Sequence, residues 1–255
     1  MKRPERSSYS VSRRHKRRVI NRKRLLLTVF LLAIGVELVF VLLTSPMFAV
    51  KKVEVVGNQT ISDSQVVRTL KLPKNANIFR VNEDSVLCEV RRDPVVREAA
   101  LHRKIPCTLI VSISERKPHF VLDSSGSLYE VDYSGVPFRL DKVVKGKLPM
   151  ISCQVRKKIV LGRPIKDPAF DSARKCLLLA QAKKFRGTIK ITVDQKSDIC
   201  LNIWDDFQVK LGRPEQLARK LDVAEQVIQQ SPEFRKRGAY IDVTCPEAPA
   251  YKLKE

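Results

Sequence analysis

The sequence predicts an α+β protein: a single N-terminal transmembrane helix, a small β-α-α-β-β domain, and a mainly antiparallel β domain with two helices. Three observations carry this prediction. Residues Leu25 to Leu43 read LLLTVFLLAIGVELVFVLL, with one ionisable group and no proline. Residues 49–117 alternate strand-like and capped helix-like segments. Beyond Pro118 the chain breaks into short alternating runs separated by Asp/Ser/Gly turns, interrupted by two amphipathic stretches.

The apolar run comes first. As a helix rising about 1.5 Å per residue it spans roughly 28 Å, close to the hydrocarbon core of a bilayer. A lone segment in lipid satisfies its backbone hydrogen bonds only as a helix. Leu25, Phe30, Gly35, Glu37 and Leu43 are therefore read as membrane-spanning. Glu37 is costly there, and three readings stay open: a partner on another protein's helix, a protonated carboxyl, or access to the interface near Leu43. The net charge is +22, and residues 1–24 hold eleven Lys/Arg against the single acid Glu5. Basic residues beside a span are retained in the cytoplasm, so the tail 1–24 is expected inside and everything after the span outside. A cleaved signal peptide fits poorly, because the apolar run is too long and no small-x-small site follows it. The basic tail lacks interleaved aromatics and is tied to a membrane. Anionic lipid headgroups explain it better than nucleic acid, which is not expected as a partner.

After the short exit 44–48, where Pro46 ends the helix, Val50–Val56 alternates and is β-branched, so it reads as a strand punctuated by Gly57-Asn58. Ser62-x-x-Gln65 is a capping box opening a helix with Val66, Val67 and Leu70 on one face. A second helix starts at Asn82, with Glu83 and Asp84 in its first turn and Arg91 and Arg92 in its last, and stops before Asp93-Pro94. Strands follow at Val95–Arg103 and Thr108–Glu115; in the second, Leu109, Val111 and Ile113 share one face. The expected arrangement is a three-stranded sheet under two helices.

Past Pro118, short strands are expected at His119–Leu122, Ser127–Val131 and Val136–Leu140. Asp167 and Pro168 are the N-cap and first residue of a helix reaching about Phe185, with Gly187 past its end. Thr188–Val193, Ile199–Ile203 and Phe207–Leu211 read as an antiparallel meander with Asp205-Asp206 at a turn. Pro214 opens a helix with Leu217, Leu221, Ala224 and Ile228 on one stripe. A final strand follows near Ala239–Thr244.

No catalytic constellation is visible. His15, His102 and His119 are far apart, and no phosphate loop, nucleophile elbow or metal-ligand spacing occurs. Trp204 beside Asp205-Asp206 reads as packing next to a turn. No enzyme activity, cofactor or metal is expected. The six cysteines, 88, 107, 153, 176, 200 and 245, have no paired spacing, and both disulfides and buried single thiols stay open.

Several phrases resemble the FtsQ/DivIB cell-division family, and the order of elements in 48–117 resembles its POTRA domain. They are Phe48–Asn58, Asn77-Ile78-Phe79-Arg80-Val81, Asp93–Ala99, Arg103–Leu109 and Glu115-Arg116-Lys117-Pro118. In the second domain they are Tyr129–Val136, Leu148-Pro149, Val209–Gly212, Lys220-Leu221 and Tyr240-Ile241-Asp242-Val243. The resemblance implies a tail (1–24), a span (25–43), a POTRA-like domain (48–117), an FtsQ-type β domain (118–245) and a C-terminal tail (246–255). It also implies a bacterial inner-membrane protein of the division septum. Such a protein is a non-enzymatic scaffold linking cytoplasmic and extracytoplasmic division proteins and helping control septal wall synthesis. The implied partners are FtsB-like and FtsL-like proteins, met at the edge of the last strand, Tyr240, Ile241, Asp242, Val243 and Thr244. An exposed edge takes up an extended segment through main-chain hydrogen bonds. Thr244-Cys245 departs from the family there, and Pro246 and Pro249 remove two donors that a paired strand would use. The alternatives are an envelope assembly or secretion component, since these also carry POTRA units, and a membrane-anchored envelope enzyme. No run of barrel strands and no clustered site favours either.

Overall fold

The computed structural model describes residues 22–142, 147–183, 185, 187–203, 207–230 and 238–253. The expectations for the tail up to residue 21, and for Trp204, Asp205 and Asp206, lie outside these residues.

The apolar run forms α1 (Arg22–Thr44), three residues longer at its start than the run itself. Its side chains are exposed to within a turn of its end. Leaving it, Ser45 accepts from the Met47 amide and caps a short 3-10 turn, Pro46–Phe48. Leu42 already packs against the first folded core.

That core belongs to a domain of β1 (Lys52–Val56), α2 (Asp63–Thr69), α3 (Glu83–Val90), β2 (Val96–Lys104) and β3 (Thr108–Glu115). The sheet order is β1-β3-β2, with β1 parallel and β2 antiparallel to the central β3. The period-two pattern of β3 puts Leu109, Val111 and Ile113 into the core. Against them pack Val66 and Leu70 at the end of α2 and Val86 and Val90 of α3. The capping box of Ser62 and Gln65 is complete, and Asn82 caps α3 by accepting from the Ser85 amide. One expectation is corrected: Val67 is 41% exposed. A helix turns about 100° per residue, so Val66 and Leu70, four apart, face inward together while Val67 is carried off that face. Arg91 is the C-cap of α3, so the basic pair lies at and just past its end. Gly57 ends β1 at φ +90°, where a Cβ would stand 2.3 Å from the Ile113 carbonyl oxygen. Only glycine fits.

The second domain contains β4 (Phe120–Ser124), β5 (Ser127–Val131), β6 (Pro137–Asp141), β7 (Met150–Ser152), α4 (Pro168–Ala182), β8 (Lys190–Val193), β9 (Ile199–Ile203), β10 (Phe207–Gly212), α5 (Leu217–Gln230), β11 (Gly238–Asp242) and β12 (Ala250–Leu253). They make one nine-stranded sheet in the order β12-β11-β10-β9-β8-β7-β4-β5-β6. Most neighbours are antiparallel, but β7 pairs in parallel with both β4 and β8, and β10 pairs in parallel with β11. α4 and α5 lie side by side against β8 and β10. Lys183 joins them through Asp222 and through Glu225 at 3.2 Å. The stripe Leu217, Leu221, Ala224 and Ile228 is buried as expected.

Beyond shifts of one or two residues at strand ends, three boundaries in this domain differ from the sequence reading. α4 ends at Ala182 with Lys183 as C-cap, short of Phe185. α5 begins at Leu217, because Pro214 sits in the preceding turn. The last expected strand stops at Asp242, and residues 250–253, expected to be tail, form β12.

Candidate partner-binding edge

Of the segment expected to present an open edge, Tyr240–Thr244, the part within β11, Tyr240–Asp242, is held on both sides. β11 pairs in parallel with β10 (Gln208 with Tyr240, Lys210 with Asp242). Its other side pairs antiparallel with β12 (Ile241 with Tyr251, Asp242 with Ala250). The correction has a local cause. Pro246 and Pro249 lie in the connection rather than in a strand, and Ala248 N–H bonds to the Cys245 carbonyl at 3.2 Å to close a turn. Prolines that would block pairing within a strand instead reverse the chain, so its last described residues add a strand. The edge on this side of the sheet is β12.

β11 is firmly seated. Ile241 and Val243 are fully buried, and Val243 N–H donates to the Lys210 carbonyl at 2.9 Å. The Lys210 ammonium lies 4.1 Å from the centre of the Tyr240 ring, a cation–π contact. Gly212 (φ +64°) ends β10 at a bulge, where an added Cβ would come within 2.8 Å of Thr244 Cγ2. Lys220 is buried, and its ammonium donates to the carbonyls of Leu211 (2.7 Å) and Arg213 (2.9 Å), fixing the exit of β10. Thr244 turns away: its amide donates to Asp242 Oδ1 at 3.0 Å. β12 itself keeps only Leu253 against the core, while Tyr251 is 62% exposed. An edge strand leaves every second N–H and C=O pointing outward.

The other edges are obstructed or short. At β6, Pro137 has no N–H and its carbonyl accepts from Gly162 N–H at 2.7 Å. At β2, the Arg91 guanidinium donates to the Ala99 carbonyl at 2.9 Å. Beside β1, the chain entering the strand is joined to the 76–78 segment, with Val50 N–H on the Ala76 carbonyl at 2.8 Å.

The join between the two domains is built from the Glu115–Pro118 phrase. Glu115 accepts the amides of Gln59 (2.7 Å), Thr60 (2.9 Å) and Ile61 (3.0 Å), and the Thr60 hydroxyl. Partial burial pushes its carboxyl upward, but these donors outweigh it and bring the pKa down from 4.5 to about 2. Arg116 pairs with Asp132, both largely buried, and Asp132 also accepts the Val136 amide at 2.9 Å. His119 contacts Gln181 Oε1 at 3.0 Å and the Tyr133 ring edge-on at 5.1 Å. From the sequence Glu115 and Arg116 are legible only as a strand end and a family phrase; the fold brings Thr60 and Asp132 to them.

The residues expected to span the membrane lie on α1. Leu25 and Phe30 are 51% and 61% exposed, Gly35 has nothing within 4 Å of a built Cβ, and Glu37 is exposed. Among the described residues the Glu37 side chain makes no hydrogen bond or ion pair, and Leu43 is half-buried where α1 meets the first domain. No cluster of three metal-ligating side chains occurs among the described residues. All six cysteines are free thiols. Burial, with the charges of Asp167 and Asp123, pushes Cys153 up to about 12, and burial does the same for Cys176. Thiols held protonated in this way are poor nucleophiles.

Comparison with known proteins agrees with this architecture. Residues 48–116 match the family model "POTRA domain, FtsQ-type", and residues 120–244 match "Cell division protein FtsQ/DivIB, C-terminal". The "Cell division protein DivIB" of Clostridium acetobutylicum is 29% identical over 86% of this chain and 88% of its own length. The "Cell division protein DivIB" of Clostridium tetani is 25% identical over 89% of this chain and 86% of its own. The "Cell division protein FtsQ" of Mycobacteroides abscessus is 25% identical over 89% of this chain and 69% of its own.

Proposed function

Because the chain belongs to the FtsQ/DivIB cell-division family, we propose that it is a non-enzymatic scaffold of the bacterial division machinery. In this reading residues 1–24 stay in the cytoplasm, α1 crosses the inner membrane, and both folded domains stand outside it. The supporting argument for that orientation is the run Arg22-Lys23-Arg24 at the helix's N-terminal end. The scaffold acts at the septum, joining cytoplasmic and external division proteins and helping control wall synthesis. Its domains are 48–117 and 118–245, the second extended by β12.

The observation that carries the reading is the edge of the nine-stranded sheet, where β12 has no further neighbouring strand among the described residues. A rigid sheet that ends in a short outer strand is suited to take up an extended segment of a partner by main-chain pairing, with Tyr251 as a large adjacent contact. The partners assigned to it are an FtsB-like protein and its FtsL-like companion. Tyr240–Thr244 contributes by holding β12 in register rather than by meeting the partner directly.

Truncation after Pro249 tests this assignment. It removes β12 and opens β11. Co-purification of the FtsB-like and FtsL-like pair with the full-length chain is expected, and its loss on truncation, with the thermal transition of the remaining protein retained. Undiminished or increased recovery would mean that β11, not β12, is the docking edge.

A further inference from the structure

A cavity of about 1050 Å³ lies where α1 meets the first domain. One wall is the end of the helix, Leu43 and Thr44, with Ser45 and Pro46; the other is the segment 70–77 with Arg80 and Val81. The two walls are fixed to each other. Asn77 Nδ2 donates to the Leu42 carbonyl at 2.9 Å, and Ile78 N–H donates to the Phe48 carbonyl at 2.8 Å. Four cationic side chains line the cavity, Lys51, Lys71, Lys74 and Arg80, all exposed. The acid in its lining, Glu89, is engaged by Lys71 at 3.2 Å and Arg92 at 2.7 Å. Among the described residues Lys51, Lys74 and Arg80 have no acidic partner. Outside the lining, but next in the chain to its residues Pro46 and Arg80, are Met47 (59% exposed) and Phe79 (40% exposed), the latter 5.3 Å from the ring of Phe48.

The position of this cavity follows from α1. If the helix spans the bilayer, its last residues, Leu43 and Thr44, mark the border of the hydrocarbon. A cavity walled by those residues then opens at the depth of the lipid headgroups. Unpaired cations beside exposed apolar side chains match a ligand with a phosphate anion above and acyl chains below.

We propose that this cavity seats the phosphate headgroup of an anionic phospholipid, from the leaflet into which the C-terminal end of α1 emerges. Lys51, Lys74 and Arg80 are its charge contacts. The proposal rests on α1 crossing the membrane. The lipid would brace the first domain against the bilayer and set the height and tilt at which β12 is presented.

The test uses the full-length chain in nanodiscs of phosphatidylcholine alone or with phosphatidylglycerol, and reads amide hydrogen exchange along 70–81. A local readout is needed because the basic tail also attracts anionic lipid at the opposite end of α1. Exchange in 70–81 is expected to slow at least about threefold with phosphatidylglycerol. The gain should disappear in the double substitution Lys74→Gln, Arg80→Gln, whose exposed positions leave the fold intact. Equal exchange in both kinds of disc would overturn the proposal and leave the cavity to a partner's segment; so would unchanged slowing in the double variant. Inorganic phosphate added to the phosphatidylcholine discs is expected to give no protection, and protection by phosphate alone would overturn the assignment to lipid. Co-elution with the discs and protection of the α1 amides report spanning separately. Failure there removes the premise, whereas success there with a lipid-independent 70–81 removes this proposal alone.

Discussion

Glu115→Gln isolates the clamp that closes the first domain. The carboxylate accepts three backbone amides and one hydroxyl from 59–61, across more than fifty residues of sequence. Glutamine keeps the shape but removes the charge and turns an NH2 group toward donors, leaving at least one of them unpaired. The wild-type carboxyl falls from 4.5 to about 2 in the folded protein. At roughly 1.4 kcal/mol per unit that is about 3 kcal/mol, and solvent screening of this partly exposed group brings it to about 1–2 kcal/mol. For a chain of this size the expected loss is ~3–6 °C in thermal midpoint at pH 7. The pH dependence has a definite sign. Because the folded pKa is below the unfolded one, the stabilisation is complete above pH 4.5 and disappears as pH falls toward 2. Differential scanning calorimetry of the full-length wild type and variant, at steps from pH 7 to pH 2, reads the difference, in which the remaining carboxylates cancel. Equal midpoints at pH 7 would refute the reasoning, as would a gap that persists unchanged at pH 2.

Three further outcomes are expected. Arg116→Ala leaves Asp132 buried without its cation and should destabilise by about 3–5 kcal/mol. In denaturant titration, pairing it with Asp132→Asn should recover part of that loss, and additive losses would contradict the ion pair. Gly212→Ala should cost about 1–3 kcal/mol, from the positive φ and the contact with Thr244; Thr244→Ala should relieve the steric part in a double-mutant cycle. Maleimide labelling of the native chain at pH 7 should modify Cys88 and Cys245 quickly, while Cys153 and Cys176 react only on unfolding. Rapid labelling of either buried thiol would contradict the packing of α4 on the sheet.

What the sequence made legible was local. The caps at Ser62, Asn82 and Asp167 sit where side-chain oxygens meet the first amides of helices, and they mark the starts of α2, α3 and α4. The alternation of Thr108–Glu115 found β3 to the residue, because one buried face enforces a period of two. What escaped was short or distant. β7 is three residues long and flanked in parallel by β4 and β8, so it has neither a hairpin turn nor a repeat to announce it. β12 was hidden by Pro246 and Pro249, which mark the end of pairing in a strand but close a turn here. Glu115 and Arg116 stood out as a family phrase, while their roles depend on Thr60 and Asp132, which only the fold brings near.

As the scaffold proposed above, the chain acts at the division site through surfaces held by a membrane anchor. Imaging a functional fluorescent fusion of the full-length chain in dividing cells tests it most directly. A ring at midcell that forms before constriction and requires α1 is expected. A uniform peripheral signal through the whole cycle would contradict it.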